Sequence, residues 1–336
     1  MSGPPPAVAA VRSAVRPGLR TSAQPVLVAV SGGADSLALA AAVAFEAPRA
    51  GVPAGAVTVD HGLQPGSAQR ARDTAGLLRG LGLDPVLVVP VDVGTAGGPE
   101  AAARTARYAA LTRCAGDSGA RVALGHTLDD QAETVLLGLG RGSGPRSVAG
   151  MVAERPPFWR PLLGLRRATA RAACAESGLP VWDDPWNTDP AYRRARLRAE
   201  VLPLLEDVLG GGVAPALART ADLLREDLEV LDALAGEHLA RVAGPEGLPT
   251  AEVAGLPAAL RRRVLRGWLR GAGVGDLQAV HLRAVDALLT AWRGQGPVAL
   301  PDGAEALRAS GRLVLRPAGS PGGRAGVAPD PEEQHP

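Results

Sequence analysis

Four short apolar runs, each followed by a stretch of helix length, restrict this chain more than any other feature of its sequence. Residues 26–30 precede a helical stretch over 36–46, residues 56–60 one over 67–81, residues 86–91 one over 99–115, and residues 122–125 one over 128–138. Strands that are apolar on both faces must be covered on both, and crossover helices do this for a parallel sheet. Right-handed crossovers wind such a sheet both ways from its middle, and its ligands lie beyond the carboxyl ends of the strands where strand order switches. The sequence therefore predicts an α/β fold with a doubly wound, mostly parallel five-stranded sheet. Leu179–Trp182, after a helical stretch over 166–177, supplies the fifth strand.

At 336 residues the chain outgrows a single core. Residues 1–24 form an N-terminal segment with a short helix over 7–16 ended by Pro17, and residues 25–205 form the large domain. Residues 206–317 form a smaller helical, α+β domain, with helices over 214–240 and 258–292 and short strands within 297–316. Residues 318–336 carry Gly, Pro and acid without apolar periodicity, which predicts a disordered tail. The hydrophobic content of 46% includes only 3% aromatic residues, a balance that suits packed helices and buried parallel strands.

All 36 basic residues are arginine. Without lysine there is no Walker A loop and no Schiff-base chemistry. The two cysteines, Cys114 and Cys174, form no CxxC pair and no disulfide framework. No run approaches the roughly 20 apolar residues of a membrane span, and no signal-peptide core is present, so a cytoplasmic protein without a membrane role is expected. A net charge of +2 leaves any nucleic-acid surface to local clusters.

Ser31-Gly32-Gly33-Ala34-Asp35-Ser36 directly follows the first strand and opens a helix. Paired glycines let backbone approach phosphate oxygens, and the helix start supplies free amides and the positive end of its dipole. Ser31 and Ser36 can donate hydroxyls, whereas Asp35 repels phosphate unless Mg²⁺ stands between them. Gly125-His126-Thr127-Leu128-Asp129-Asp130-Gln131-Ala132-Glu133 follows the fourth strand. Capping explains one acid at this helix start and explains three poorly; a cation, either Mg²⁺ or the ammonium groups of free lysine, accounts for the set. Glu100, Arg104, Arg107 and Tyr108 share a helix face. This face reads either as a solvated salt-bridged surface or as a grip for phosphate or carboxylate.

The six-residue loop resembles the pyrophosphate loop of ATP pyrophosphatases, which cleave ATP between the α and β phosphates. Val59-Asp60-His61-Gly62-Leu63, the EAxARxxRY segment ending at Tyr108, Arg141-Gly142-Ser143-Gly144, Arg160-Pro161-Leu162-Leu163 and Asp184-Pro185-Trp186-Asn187-Thr188-Asp189 with Arg194, Arg196 and Arg198 follow in order. Together they are similar to the tRNA(Ile)-lysidine synthetases, in a shorter form without the last C-terminal domain. Ala195 stands where that family usually has asparagine, and Trp186 where a small polar residue is common. The resemblance implies an adenine nucleotide alpha hydrolase-like fold and a ligase that adenylates the wobble cytidine of tRNA(Ile) with a CAU anticodon. Lysine is then joined to C2 of that base, and codon reading changes from AUG to AUA.

The resemblance further implies catalytic roles for Asp35, Arg107, Asp130 and Glu133, and ATP binding by Ser31, Gly32, Gly33, Ala34, Asp35, Ser36, Asp60, His61, Gly125 and His126. Lysine falls to Arg104, Arg107, Asp130 and Glu133, and metal to Asp35 and Asp129. Arg141, Arg160, Arg193, Arg194, Arg196 and Arg198 would bind tRNA, joined by the Arg261–Arg263 cluster and Arg266, with Trp182 and Trp186 either stacking on bases or packing in the core. ATP with Mg²⁺, free L-lysine and tRNA(Ile) are the implied partners, and a homodimer is allowed. Two alternatives remain at this level. A 2-thiocytidine synthetase would share the loop but needs cysteines in a pattern this chain lacks. A non-catalytic nucleotide-binding module would share the fold but has no need of the acids.

Overall fold

A computed structural model describes residues 3–95, 98–142 and 144–316, without the side chains of residues 99 and 100. The expected tail over 318–336, Ser143 and the Glu100 side chain lie outside the described residues. The chain divides into two compact units, Met1–Leu224 and Arg225–Pro336.

The first unit contains helix α1 (Pro6–Arg20) and then the alternation read from the sequence: β1 (Val26–Ala29), α2 (Ala34–Ala50), β2 (Ala54–Asp60), α3 (Ser67–Gly80), β3 (Val86–Pro90), α4 (Pro99–Ser118), β4 (Arg121–Leu124) and α5 (Leu128–Arg141). A one-turn helix α6 (Pro145–Val148), strands β5 (Glu154–Arg155) and β6 (Phe158–Trp159), and α7 (Arg167–Glu176) follow. The sheet has six strands in the order β3-β2-β1-β4-β6-β5, all parallel except the β5–β6 pair. Strand order switches at β1, which has β2 on one side and β4 on the other.

Core packing explains why β1 is apolar throughout. Val26 and Val28 pack with α1, α2 and α7, while Leu27 packs with Leu111 and Cys114 of α4 on the opposite face. Helix α1 continues through Pro17, contrary to expectation. Proline removes one backbone donor and its φ is already helical, and the buried stripe Val8, Val11, Val15 and Leu19 carries the helix onward.

Two further expectations fail for physical reasons. The fifth parallel strand is Phe158–Trp159, hidden in the sequence between Pro156-Pro157 and Pro161, and β5 adds a sixth. Leu179–Trp182 joins no sheet; its extended backbone crosses the β1–α2 turn, where the Trp182 amide donates to the Gly32 carbonyl at 3.0 Å. Helix α8 (Arg193–Val208) contains a π turn over Leu197–Val201. Leu202 of α8 packs with Ala132 of α5 and with Ala214, near the start of α9 (Val213–Val242).

The second unit has its own core. Strand β7 (Leu248–Pro249) and helices α10 (Thr250–Ala254), α11 (Ala258–Gly271) and α12 (Ala279–Thr290) precede β8 (Val298–Ala299), β9 (Glu305–Ala309) and β10 (Arg312–Arg316). The sheet is antiparallel in the order β7-β10-β9-β8, and Leu248, Leu265, Leu269, Leu288 and Leu313 are fully buried. The single helix expected over 258–292 is two, broken after Gly271 with Gly273 at φ 87°. Among the described residues no single helix is long and apolar enough to cross a membrane.

Candidate active site

The glycine turn from β1 into α2 stands at the switch in strand order. Gly32 has φ 88°, a conformation that favours glycine, and Gly33 is the helix N-cap. The Ser36 hydroxyl donates to the Gly33 carbonyl at 2.9 Å, and its oxygen accepts the Ser31 amide at 3.2 Å and lies 3.4 Å from Ser31 Oγ. These bonds hold the turn open while the first amides of α2 have no acceptor within the helix. Asp35 points behind the turn. Its Oδ2 accepts from Arg167 at 3.4 Å, and its Oδ1 is buried without a hydrogen-bond partner. Burial, with the Asp130 charge adding to it and Arg167 opposing, pushes the Asp35 carboxyl up to about 6.

The ends of β2 and β4 flank the turn. Gly125 serves by its size: a Cβ there would lie 2.9 Å from the Asp35 carbonyl carbon and oxygen and 3.0 Å from the Ser36 nitrogen. Asp60 Oδ1 accepts the Gly62 amide at 3.0 Å. Burial raises the Asp60 carboxyl, but the Gly62 amide and Ser67 hydroxyl outweigh it and hold the group below its ordinary range. His61 and His126 each have a buried Nδ1 without a partner. Burial and then Arg107 lower the His61 imidazole; burial pushes His126 down to about 3, with Asp130 opposing and Arg107, Arg160 and Arg104 assisting. Both rings are therefore neutral near pH 7, each with a buried ring nitrogen that no described group satisfies.

The acids of α5 are held by arginines, most of which the motifs did not assign to them. Asp130 Oδ2 caps the helix, accepting the Thr127 amide at 2.8 Å and the Thr127 hydroxyl at 2.9 Å, and its Oδ1 accepts from Arg167 at 2.5 Å. Glu133, fully buried, accepts from Arg167 at 3.3 Å, Arg198 at 3.0 Å and Arg194 at 3.5 Å. Asp129 Oδ2 accepts the Arg167 amide at the start of α7 at 2.7 Å, and its Oδ1 pairs with Arg166 at 3.2 Å. Both oxygens of Asp129 are thus engaged in anchoring α7. Among the described residues no group of three or more His, Cys, Asp or Glu could hold a metal ion together. Gln131 of the same motif is structural: it exchanges two hydrogen bonds with the Met151 backbone, at 2.9 and 2.7 Å.

The remaining expected residues separate by exposure. Arg107 is half-buried and makes no ion pair among the described residues, with Arg104, Arg194 and Asp130 among the charges acting on it. Arg104 is exposed and donates to the Tyr108 hydroxyl at 3.3 Å. Arg141, Arg193 and Arg196 are exposed, Arg196 pairing with Glu200 at 2.8 Å. Arg194 and Arg198 instead turn inward onto Glu133. Arg160 is buried and donates to the Val152 carbonyl at 3.0 Å. Trp182 lies against Gly32 with the Arg70 guanidinium 4.5 Å above its ring, and Trp186 packs 5.6 Å from Tyr192. In the second unit Arg261 and Arg262 share Asp286, at 2.5 and 3.4 Å, and Arg263 holds Asp232 at 2.9 Å. Arg261 and Arg263 are thus drawn inward by ion pairs, while Arg262 stays exposed.

A glycine turn at the switch point of a parallel sheet, backed by an acid with an unpartnered oxygen, defines an ATP-using PP-loop domain, and residues 8–205 match the PP-loop domain family. Residues 248–314 match the TilS substrate binding domain. The tRNA(Ile)-lysidine synthase of Thermobifida fusca is 56% identical over 321 residues, covering 94% of this chain and 99% of that one. That of Streptomyces coelicolor is 57% identical over 350 residues with the same coverages. This chain belongs to the tRNA(Ile)-lysidine synthase family. Among solved structures, the U34-tRNA thiolase NcsA from Methanococcus maripaludis shares the fold, with a TM-score of 0.54 at 20% identity over 65% of this chain and 80% of that one.

Proposed function

We propose that this protein is a cytoplasmic ligase that joins lysine to the wobble cytidine of tRNA(Ile) through an adenylated base, at the expense of ATP. Family membership supplies the reaction class, and the observation that carries the site is the buried, unpartnered Oδ1 of Asp35 behind the glycine turn. That oxygen fits a divalent cation, which suits Mg²⁺; when bound, the ion would screen the phosphates from Asp35 and draw charge from the leaving pyrophosphate. Gly32, Gly33 and the first amides of α2 receive the pyrophosphate as the cytidine C2 oxygen attacks the α phosphorus. His61 and His126 offer neutral ring nitrogens to the nucleotide. In the second step the lysine side-chain amine, losing a proton, attacks C2 and AMP departs.

Arg107, which has no ion pair among the described residues, suits the lysine carboxylate or the AMP phosphate. Asp130 and Glu133 attract the ammonium, but their oxygens already carry arginines, so an arriving ammonium must displace at least one. Arg194 and Arg198 are the best placed to yield, because tRNA phosphate offers them another anion. The functional division we propose assigns ATP and lysine chemistry to residues 25–205 and tRNA positioning to 206–317. A homodimer is compatible with this division.

The test is pyrophosphate release from ATP with Mg²⁺, expected with tRNA(Ile) carrying CAU and absent with tRNA carrying another anticodon; release indifferent to tRNA would exclude the reading. Replacing Arg193 and Arg196 by alanine is expected to weaken tRNA binding and reduce the slope of log affinity against log salt by about 1–2. An unchanged slope would make these residues an ordinary solvated face.

A further inference from the structure

No motif points to Arg167, yet it touches more of the acid cluster than any other described side chain. Asp129 fixes its backbone by accepting the amide at 2.7 Å. From that anchor Nε lies 3.4 Å from Asp35 Oδ2 on α2, one terminal nitrogen 2.5 Å from Asp130 Oδ1, and both terminal nitrogens 3.3 Å from Glu133 Oε1 on α5. One planar guanidinium thus ties the acid beside the phosphate turn to the two acids on the other side of the site. We propose that Arg167 is a positioning residue: it sets the spacing between the phosphate-side carboxylate and the ammonium-side carboxylates, so that both chemical steps share one geometry.

The physical reason lies in the fork. Three carboxylates this close repel one another, and a cation that neutralises them in place must present separate donors in fixed directions. A guanidinium does so with five N–H groups in one plane, while an ammonium on a flexible stem concentrates its charge at one point and would collapse onto one acid. Arg198 and Arg194 add charge at Glu133 from α8. Arg167 spans the gap from Asp35 to Asp130 and Glu133. The proposal rests on the lysidine-forming reading above.

The experiment uses the full chain with tRNA(Ile), ATP and Mg²⁺. Arg167→Ala is expected to lower pyrophosphate release about 100-fold, the scale of loss from misplaced reacting groups. Added guanidinium ion should restore about tenfold of this, and methylammonium should restore none. Arg167→Lys, which keeps the charge and loses the fork, should stay as slow as the alanine variant while melting like the native protein. Near-native turnover in either variant overturns the proposal, as does a folded alanine variant that guanidinium does not rescue. If the alanine variant does not fold, the lysine variant alone decides. Failure of the underlying reading looks different: the unsubstituted protein would then release no pyrophosphate with tRNA(Ile).

Discussion

Asp35→Asn is expected to lower tRNA-dependent pyrophosphate release by about 100- to 1000-fold while leaving tRNA affinity nearly unchanged. The asparagine keeps the shape but loses the anionic oxygen that faces no partner in the protein. The same variant carries a stability signature. Because burial lifts the Asp35 carboxyl to about 6, the native state holds that proton more tightly than the unfolded chain does. The stability it contributes is fully present below the ordinary carboxyl range near pH 4 and is lost as pH rises through 6. Above pH 7 the ionised, buried Asp35 is a burden on the order of 1–3 kcal/mol. Asp35→Asn is therefore expected to melt at or above the native protein at pH 8 in the absence of ligands, with the difference changing in favour of the native protein as pH falls from about 6 to 4. Melting curves with chelator across that range check the sign. Near-native turnover would remove Asp35 from the chemistry.

Asp130→Asn and Glu133→Gln are expected to separate the two chemical steps. If these acids serve lysine, pyrophosphate release persists within about tenfold, incorporation of labelled lysine falls about 100-fold, and adenylated tRNA accumulates. Loss of both signals together in a folded variant would assign the pair to the ATP or metal site. The two variants should differ in stability. Asp130 is a helix cap with one arginine contact within hydrogen-bond range, and its amide analogue can still accept from Thr127. Glu133 is fully buried between Arg167, Arg194 and Arg198, and neutralising it removes the one carboxylate that all three guanidinium groups share. Breaking a buried ionic cluster in this way costs about 3–5 kcal/mol. Asp130→Asn is accordingly the cleaner probe of transfer, and Glu133→Gln the stronger probe of folding.

Much of this site was legible in the sequence because its phosphate-binding part is made of neighbours. Two glycines, an acid and a serine between an apolar run and a helix can be read within six residues, and the Thr127–Asp130 cap within four. The parallel sheet was legible for the same reason, through four local alternations. Illegible features depend on residues far apart. Asp35 and Arg167 are separated by 132 positions, and nothing near Arg167 distinguishes it from Arg166 or Arg171. Arg194 and Arg198 read as part of a basic face, since only the packing of α8 on α5 shows that they turn toward Glu133. The resemblance places Arg160 at the tRNA surface, and its burial against the Val152 carbonyl has no local signal in the sequence. The apolar run Leu179–Trp182 has strand composition and becomes a strap over the phosphate turn, while the two-residue strand at Phe158 is too short for any periodicity to register.

The most direct test of the proposed function is the identity of the nucleoside that the enzyme makes. After incubation with tRNA(Ile) carrying CAU, ATP, Mg²⁺ and lysine, the tRNA is digested and its wobble nucleoside weighed by mass spectrometry. The expected product is a cytidine heavier by one lysine less one water, with AMP and pyrophosphate formed in equal amounts. An unmodified cytidine, or one carrying sulfur in place of the C2 oxygen, would overturn the proposed function.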